Sequence, residues 1–373
     1  MKVGFYTSQR EYNEKKEEFQ QAIKNVIENG ISTLGPEVKK FEEEVANYTG
    51  AKHAIGVASG TDALVIGSDI LGYKKGKEII TSPFTFLAST SCIAKHEGIP
   101  VFVDIDEETF NIDTTKIEEK VTKNTAGILP IHLFCQMVNM DDVMDIAKRH
   151  NLTVFEDAAE AFGMRWKGRG DTYRHAGTIG DMGIFSFFPT KTLGGYGDGG
   201  MVITNDDKLA ELMRIYRVHG ASVKYHYDYL GYNSRLDTIQ AAILSVKLKY
   251  IDEAIAKRET INSWYRERLK DVEQIKFTKI KGEQKPVYYV FNILCEKRDE
   301  LNKYLRENGI GTSIYYPIPL HLQKCFSYLG YKEGDFPVAE RVSKKILALP
   351  IYPELTEDEV DYVCEKIKEF YRK

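Results

Sequence analysis

The chain has 373 residues, of which 43% are hydrophobic and 28% charged, and its formal net charge is −4; this composition is typical of a globular protein with two or three domains. The charge balance argues against general binding to nucleic acids or membrane surfaces, and no apolar run reaches the ~18 residues of a transmembrane helix. Because its five cysteines are scattered without a CxxC pair, the sequence suggests neither a zinc site nor a disulfide framework, and we expect a cytoplasmic protein without a metal.

Two amphipathic helices are predicted before the first strand. Residues 14–28 carry apolar side chains at helical spacing, and Asn29-Gly30 ends that helix. Gly35-Pro36 opens the second helix, with proline at an early helical position where its missing N–H costs nothing, and Gly50 ends it.

A short strand beginning at His53 leads through Ser59-Gly60-Thr61 into a helix that starts near Asp62. A strand that feeds a helix through small residues leaves free N–H groups at the positive helix end, which suits a phosphate. An ordinary N-cap by serine or threonine explains the same pattern without any ligand.

Further strands are predicted from Glu78, from Ile99 and from Thr125, and another ends in Glu156 and Asp157. In open parallel sheets, ligands bind beyond the carboxyl ends of the strands. A carboxylate there can pair with a protonated pyridine nitrogen and so keep the ring an electron sink. A helix N-cap or a surface salt bridge is the alternative interpretation of Asp157.

Lys191 stands between an apolar run ending at Phe188 and a glycine-rich turn, and the apolar run Met201–Thr204 follows. Partial burial would lower the pKa of such a lysine and make its amine a nucleophile toward aldehydes, as pyridoxal phosphate requires. The turn also matches G-x-G-x-x-G, but a dinucleotide fingerprint needs a helix after it, whereas a strand follows here. A glycine-rich hairpin with a surface lysine is the other interpretation.

The second half of the chain begins with a long helical stretch, about 236–270, that contains no glycine and is predicted to bridge to a smaller domain. That domain carries a capping-box pattern, Thr356 followed by Glu359, at the start of its last helix. Alternation of strands and helices up to residue 250 predicts an α/β fold, with domains at 1–250 and 251–373. The elements predicted before the last helix are strand 287–295, helix 298–308, strand 312–316 and helix 337–347.

Taken together, the motifs resemble the DegT/DnrJ/EryC1/StrS family of sugar aminotransferases, from about Asn29 to about Thr356. The resemblance implies the aspartate-aminotransferase-like fold type I, with a large, mostly parallel, seven-stranded sheet domain and a smaller α+β C-terminal domain. It also implies pyridoxal phosphate as the cofactor. The motifs, in family order, are Ala58-Ser-Gly-Thr-Asp-Ala-Leu, Pro83-Phe-Thr-Phe, Glu156-Asp-Ala-Ala, Phe185-Ser-Phe-Phe-Pro-Thr-Lys, Gly197-Asp-Gly-Gly, His219-Gly, and Tyr232-Asn-Ser-Arg-Leu-Asp with Gln240-Ala-Ala.

The same resemblance implies residue roles. Lys191 matches the Schiff-base lysine and proton shuttle, and Asp157 the acidic partner of the pyridine nitrogen. Asn233 matches a residue that reaches the phosphate from the other subunit, which implies a homodimer with composite sites. The remaining matches are Phe86 on the ring face, Gly60, Thr61 and Ser186 at the phosphate, and Tyr316, His321 and Arg235 at the sugar.

The sequence departs from the family pattern at two places. Glu160 stands where the family usually has a glutamine that contacts the ring hydroxyl, so a weaker ring contact is expected from it. Residues 169–180 are longer than the common pattern by a few residues, through Tyr173 to Ala176, and this insert is expected to shape the entrance.

The implied reaction transfers an amino group from L-glutamate, leaving 2-oxoglutarate, to the keto carbon of a dTDP-linked keto-6-deoxyhexose. Overall likeness favours C-3, as in the dTDP-3-keto-6-deoxyhexose 3-aminotransferases, and C-4 is the alternative. A dehydratase of the same family would carry histidine in place of Lys191. A non-catalytic relative that binds the cofactor or a sugar nucleotide is a further alternative.

Overall fold

The computed structural model describes residues 1–372. Its helices are α1 (Gln9–Glu14), α2 (Lys16–Asn29), α3 (Pro36–Thr49), α4 (Gly60–Ile70), α5 (Ala88–Lys95), α6 (Met140–His150), α7 (Asp207–Tyr216), α8 (Thr238–Leu248), α9 (Ile251–Leu269), α10 (Arg298–Glu307), α11 (Pro337–Lys345) and α12 (Glu357–Arg372). Its strands are β1 (His53–Val57), β2 (Glu78–Thr81), β3 (Ile99–Phe102), β4 (Thr125–Ile128), β5 (Thr153–Asp157), β6 (Arg165–Trp166), β7 (Arg174–His175), β8 (Met182–Ser186), β9 (Gly200–Thr204), β10 (Ala221–Val223), β11 (His226–Tyr227), β12 (Ile275–Phe277), β13 (Gln284–Lys285), β14 (Phe291–Cys295) and β15 (Ile346–Leu349).

A seven-stranded sheet with the order β1-β9-β8-β5-β4-β2-β3 forms the centre of the fold. The strands from β8 to β3 pair in parallel, and β9 runs antiparallel to both of its neighbours. The central strands β5 and β8 are almost wholly buried, as expected for a parallel sheet covered on both faces. The predicted α/β fold with a mostly parallel seven-stranded sheet is confirmed.

The N-terminal helices follow their sequence signals closely. Helix α2 ends at Gly30 and α3 at Gly50, both of which adopt left-handed backbone conformations, and Pro36 occupies the first turn of α3. The last helix begins with the predicted capping box: the Glu359 N–H donates to Thr356 Oγ1 at 3.3 Å, and the Thr356 N–H donates to Glu359 Oε2 at 3.0 Å.

The stretch predicted as one helix over 236–270 is two helices, α8 and α9. The break falls at Tyr250, whose φ of −110° and ψ of 8° are not helical. The Tyr250 hydroxyl and the Lys249 ammonium both bind the Glu18 carboxylate on α2, at 2.5 and 3.0 Å. These tertiary contacts hold the break, and the local sequence contains no glycine or proline that signals it.

A three-stranded antiparallel sheet, β12-β14-β15, lies in the later part of the chain. The predicted helix 337–347 ends at Lys345, because four buried apolar residues then pair with β14 as strand β15. The predicted strand 312–316 forms only a single bridge, from Ser313 to Ala348. Near the N-terminus, Val3 bridges Ile310 and packs into the core around this smaller sheet.

No helix within residues 1–372 combines the length and the apolar character needed to cross a membrane.

Candidate active site

A cavity of about 390 Å³ opens at the carboxyl ends of β5 and β8. Strand β5 delivers Asp157, strand β8 delivers Ser186, and the loop after β8 delivers Lys191. This position agrees with the general rule that ligands of open α/β sheets bind beyond the carboxyl ends of the strands. The predicted site residues that line this cavity are Gly60, Thr61, Phe86, Asp157, Glu160, Ser186, Lys191 and Tyr316.

One end of the cavity is formed by the start of α4. Ser59 caps the helix by accepting a bond from the Asp62 N–H at 3.0 Å, and the N–H groups of the first turn have no acceptor within the helix. A Cβ on Gly60 would lie 2.7 Å from the Cβ of Ser186, and one on Gly200 would lie 2.4 Å from the Ser59 carbonyl carbon. Strands β8 and β9 therefore pack against the helix start so closely that only glycine fits at both positions.

Asp157 is 3% exposed and is held by two hydrogen bonds. The Ser89 hydroxyl donates to Oδ2 at 2.7 Å, and the Ala159 N–H donates to Oδ1 at 3.1 Å. Burial raises the pKa of Asp157, although both hydrogen bonds and the charge of Lys191 act in the opposite direction. A buried, oriented carboxylate whose charge is costly is suited to meet a cation inside the cavity.

The neighbouring Glu156 points to the other side of β5 and does not line the cavity. Its Oε1 accepts from the N–H groups of Ile179 and Gly180, each at 2.6 Å, and its Oε2 accepts from the Gly177 N–H at 2.8 Å. His132 Nε2 donates to Oε2 at 2.8 Å, because His132 Nδ1 already accepts from the Val138 N–H. Burial opposes the charge of Glu156, but these donors outweigh it and lower the carboxyl pKa.

We expect Glu156→Gln to lower the free energy of unfolding at neutral pH by about 3 kcal/mol, because the amide NH₂ faces N–H donors. The folded pKa of Glu156 lies below its unfolded value, so its stabilisation is present above the unfolded pKa of about 4.3 and is lost as the pH falls through the folded pKa. We expect urea unfolding at neutral pH and near pH 4 to show that the difference in unfolding free energy between Glu156→Gln and the parent protein becomes smaller at the lower pH.

Glu354→Gln is the matched control for this measurement. Burial, and then the charge of Glu11, raise the pKa of Glu354, so its charge costs stability at neutral pH and the glutamine variant should be at least as stable as the parent. A Glu156→Gln variant as stable as the parent at neutral pH would contradict the role assigned to this network.

The ammonium of Lys191 lies between an acid and an aromatic ring. Its Nζ is 3.3 Å from Glu160 Oε1 and 4.3 Å from the centroid of the Tyr289 ring. Burial lowers the pKa of Lys191, but the charge of Glu160, followed by Tyr289 and Asp157, outweighs burial, and the pKa is raised. The expectation of a lowered pKa was wrong for this state, because it considered burial without the neighbouring carboxylates.

Glu160 stands where the family usually has glutamine, and both of its carboxylate oxygens accept hydrogen bonds. Its Oε2 accepts from the Phe134 N–H at 3.1 Å, and its Oε1 receives the Lys191 ammonium and, at 3.4 Å, the Tyr316 hydroxyl. Burial raises the pKa of Tyr316 well above its ordinary value, so this phenol is a proton donor. The carboxylate thus joins a strand-end loop, the lysine and a tyrosine at one point of the cavity wall.

Three predicted residues do not line the cavity. His321 is 2% exposed, its Nε2 lies 3.0 Å from Glu340 Oε1, and its ring packs on Phe336 at 4.7 Å. His321 therefore lies outside the cavity wall of this chain, with Nδ1 lacking a hydrogen-bond partner within residues 1–372, and its place at the sugar stays a prediction. Asn233 is exposed and Arg235 is half-buried, and neither belongs to the wall of this chain's own cavity.

The insert near Tyr173 lies away from the cavity as well. Strand β7 within it pairs with β6, which in turn pairs with β13. His175 is buried, accepts from the Gly163 N–H at 2.9 Å, and packs edge-on against Phe162 and Phe185. Burial lowers the pKa of His175 to about 4. In this chain the insert therefore completes a small sheet and the core, in place of the expected entrance role.

Sequence reasoning missed several residues of the cavity wall, of which Ser89 and Tyr289 contact Asp157 and Lys191. Ser89, which orients Asp157, stands three residues after Phe86 on α5, and its spacing from a motif residue could have drawn attention to it. Tyr289, beside Lys191, comes from the segment before β14 and carries no recognisable motif.

Comparison with known proteins places these features in a family. The family model described as DegT/DnrJ/EryC1/StrS aminotransferase family matches residues 13–368. The chain is 46% identical to a "Pleiotropic regulatory protein" of Geobacillus stearothermophilus, with 100% of this chain and 99% of that protein covered. It is 39% identical to the dTDP-3-amino-3,6-dideoxy-alpha-D-galactopyranose transaminase of Aneurinibacillus thermoaerophilus, covering 95% and 96% of the two chains.

Among solved structures, DesV of S. venezuelae in complex with a ketimine intermediate superimposes with a TM-score of 0.95 at 35% identity, over 100% of this chain and 99% of that one. Enzymes of this family are aminotransferases that depend on pyridoxal phosphate, which confirms the predicted enzyme class and cofactor. The match covers nearly the whole chain and includes every motif from Ala58 to Ala242. This protein therefore belongs to the DegT/DnrJ/EryC1/StrS aminotransferase family.

Proposed function

We propose that this protein transfers an amino group from L-glutamate to the keto carbon, C-3 in preference, of a dTDP-linked keto-6-deoxyhexose. The observation that carries the proposal is the convergence of Lys191 and Asp157 on one cavity at the carboxyl ends of β5 and β8. The relatives named as dTDP-sugar transaminases support the substrate class. The product is an amino sugar nucleotide, and glutamate leaves as 2-oxoglutarate.

The cavity residues fit pyridoxal phosphate. The unpaired N–H groups at the start of α4, with Gly60, Thr61 and Ser186 around them, form a seat for a phosphate. Asp157 would pair with the ring nitrogen, Glu160 would contact the ring hydroxyl, and Phe86, 59% exposed at the cavity wall, would stack on the ring face. The bound cofactor supplies an electron sink for the carbon that carries the amine.

Lys191, Glu160 and Asp157 have different roles in the transfer of a proton. Lys191 is the single ammonium that Glu160 Oε1 and the Tyr289 ring face hold within the cavity. The Lys191 amine can hold and move a proton at this place, as a base and then as an acid toward the substrate carbon. Ser89 and the Ala159 N–H hold the Asp157 carboxyl in a fixed orientation in the same cavity.

The substrate sugar would meet the chain beside Tyr316, whose hydroxyl lies at the cavity wall next to Glu160. Arg235 stays a proposed substrate-binding residue, although it stands outside the wall of this chain's cavity. His321 likewise stays a proposed substrate-binding residue, although its Nε2 is bound to Glu340 and it stands outside the wall of this chain's cavity.

We propose that the protein works as a homodimer with composite active sites, in which Asn233 reaches the phosphate of the partner subunit. Asn233 is exposed and follows a hairpin, β10-β11, whose apolar side chains face solvent. Tyr225 is 76% exposed, Tyr227 61% and Leu230 96%, a concentration of apolar surface that a second copy would cover. A cytoplasmic location and a boundary between two domains near residue 250 complete the proposal.

The regiochemistry is tested by offering the protein, pyridoxal phosphate and glutamate a 3-keto and a 4-keto dTDP-6-deoxyhexose in separate reactions. We expect the 3-keto sugar to gain an amine and the 4-keto sugar to remain, as judged by mass spectrometry with ¹⁵N-glutamate. Amination of the 4-keto sugar alone would replace C-3 by C-4, and amination of neither would remove the proposed substrate class.

A non-catalytic regulator is the second candidate, because a relative that covers the whole chain is named a pleiotropic regulatory protein. The presence of both Lys191 and Asp157 favours catalysis, and Lys191 also argues against a dehydratase, which would carry histidine there. Glutamate-dependent loss of the bound cofactor's aldehyde absorbance would support the aminotransferase. A protein that stays colourless after incubation with pyridoxal phosphate would revive the regulator.

A further inference from the structure

Tyr289 places its ring against the reactive lysine. The Lys191 Nζ lies 4.3 Å from the ring centroid, well within the distance at which a cation is attracted to an aromatic face. The Tyr289 hydroxyl lies 3.2 Å from the Thr190 Oγ1, so the same side chain also contacts the residue that precedes Lys191. One tyrosine therefore contacts both the side chain of Thr190 and the ammonium of Lys191.

The backbone of Tyr289 is fixed from behind by Arg258 on α9. The Arg258 Nη1 donates to the carbonyl oxygens of Tyr288 at 3.3 Å, Tyr289 at 3.2 Å and Ile351 at 2.9 Å. This guanidinium is 2% exposed, and burial lowers its pKa. These three bonds of Nη1 join the segment before β14 to the long helix α9, whereas the buried Nε of the same guanidinium has no hydrogen-bond partner within residues 1–372.

Lys191 thus has an acid at one side and a ring face at another. Glu160 Oε1 is 3.3 Å from its Nζ, and the aromatic ring is on the residue that Arg258 holds. A ring face attracts the ammonium but not the neutral amine, so its effect depends on the charge of the lysine. Among the described residues, the titratable groups that face Lys191 or line the same cavity are Asp157, Glu160, Asp198, Tyr289, Tyr315, Tyr316 and His132.

We propose that Tyr289 is a positioning residue for Lys191: its ring face, anchored through Arg258, holds the ammonium beside Glu160 and sets how readily the amine gives up its proton. The inference deepens the proposed function, on which it rests for the use of that amine. The charge-dependent part of the contact belongs to the ring, and the hydroxyl belongs to the loop that carries Thr190. Removal of the ring and removal of the hydroxyl therefore have separable effects.

The test measures the pKa of Lys191 in the full-length protein without cofactor. Competitive acetylation by acetic anhydride across alkaline pH, read out on the Lys191 peptide by mass spectrometry, gives the pKa of that amine directly. We expect Tyr289→Leu to lower it by about 0.5 to 1.5, the size of one cation–π contact. Tyr289→Phe, which keeps the ring and loses the hydroxyl, should lower it by less than Tyr289→Leu does, because it loses the electrostatic contribution of the phenol and keeps the ring face.

Two further variants keep the test decisive. Tyr289→Met fills similar space without a ring and serves where the leucine variant does not fold. Glu160→Gln removes the carboxylate and should lower the pKa of Lys191 in the same assay, which verifies that the readout senses the surroundings of the amine. An unchanged pKa in both ringless variants, or an equal fall in Tyr289→Phe, would overturn the proposal.

The acetylation assay needs no amino transfer, so the two proposals fail separately. If the pKa of Lys191 falls further in the ringless variants than in Tyr289→Phe, and the parent protein aminates no keto sugar, Tyr289 keeps its role and the proposed reaction is removed. If the parent protein aminates the sugar and the ringless variants keep the parent pKa, the proposed reaction stands and the role of Tyr289 is refuted.

Discussion

Lys191→Ala should turn over keto sugar nucleotide at least about 10⁴-fold more slowly than the parent protein, because it loses both the covalent attachment point and the proton shuttle. The variant should also lack the visible absorbance that the cofactor has when joined to a lysine. The side chain is 15% exposed and contacts Glu160 and Tyr289, and among the described residues Lys191 is the one lysine that lines the cavity. Steady-state turnover and the absorbance spectrum after dialysis are the measurements.

Lys247→Ala is the matched control for this loss. Lys247 is also a buried lysine, 8% exposed, with its Nζ 2.8 Å from Glu11, but it lies on α8 outside the cavity. Its replacement should cost stability and leave the turnover of the folded protein near that of the parent. Wild-type transamination by Lys191→Ala would refute the assignment of the lysine.

Asp157→Asn should slow the single-turnover reaction with glutamate by about 10²- to 10⁴-fold, the range that a positioned charge or proton partner contributes. An amide has no negative charge to hold a proton on the ring nitrogen, so the ring would become a poorer electron sink. The fold should be retained, because asparagine keeps the shape and can still accept one of the two hydrogen bonds. Stopped-flow absorbance resolves this step from product release.

The stability of Asp157→Asn, unlike its reaction rate, should not fall. Burial raises the folded pKa of Asp157 above its ordinary value, so the ionised carboxylate costs stability once the pH exceeds the folded pKa. Asp157→Asn removes that cost at neutral pH, and its unfolding midpoint should equal or exceed that of the parent. Trading stability for activity in this way is common at active sites.

Asp104→Asn provides the reciprocal control. Asp104 is 9% exposed and accepts the Val338 and Ala339 N–H groups at 2.9 and 3.0 Å at the start of α11. Its amide variant should lose stability and keep the single-turnover rate. A normal single-turnover rate in Asp157→Asn would take that residue out of the proposed mechanism.

The parts of the structure that could be predicted are those that local sequence dictates. Glycine and proline mark the ends of α2 and α3, and Thr356 with Glu359 marks the start of α12. Strand-end motifs brought Asp157 and Lys191 to one edge of the sheet, as the resemblance implied.

What could not be predicted depends on partners distant in sequence. The break between α8 and α9 is held by Glu18, and the raised pKa of Lys191 depends on Glu160 and Tyr289. A Tyr-Pro…His pattern could not reveal that the His321 imidazole would meet Glu340. In each case the deciding contact joins segments that no local pattern connects.

The close packing of Gly60 and Gly200 against Ser186 and Ser59 has a consequence for anyone who wishes to redesign this catalyst. Randomising those positions one at a time should yield inactive libraries, since every added carbon collides with backbone or with a neighbouring side chain. Phe188, which also lines the cavity and is 50% exposed, has room for larger or smaller groups. Altered sugar preference should therefore be sought at Phe188, with the two glycines and the cofactor residues left unchanged.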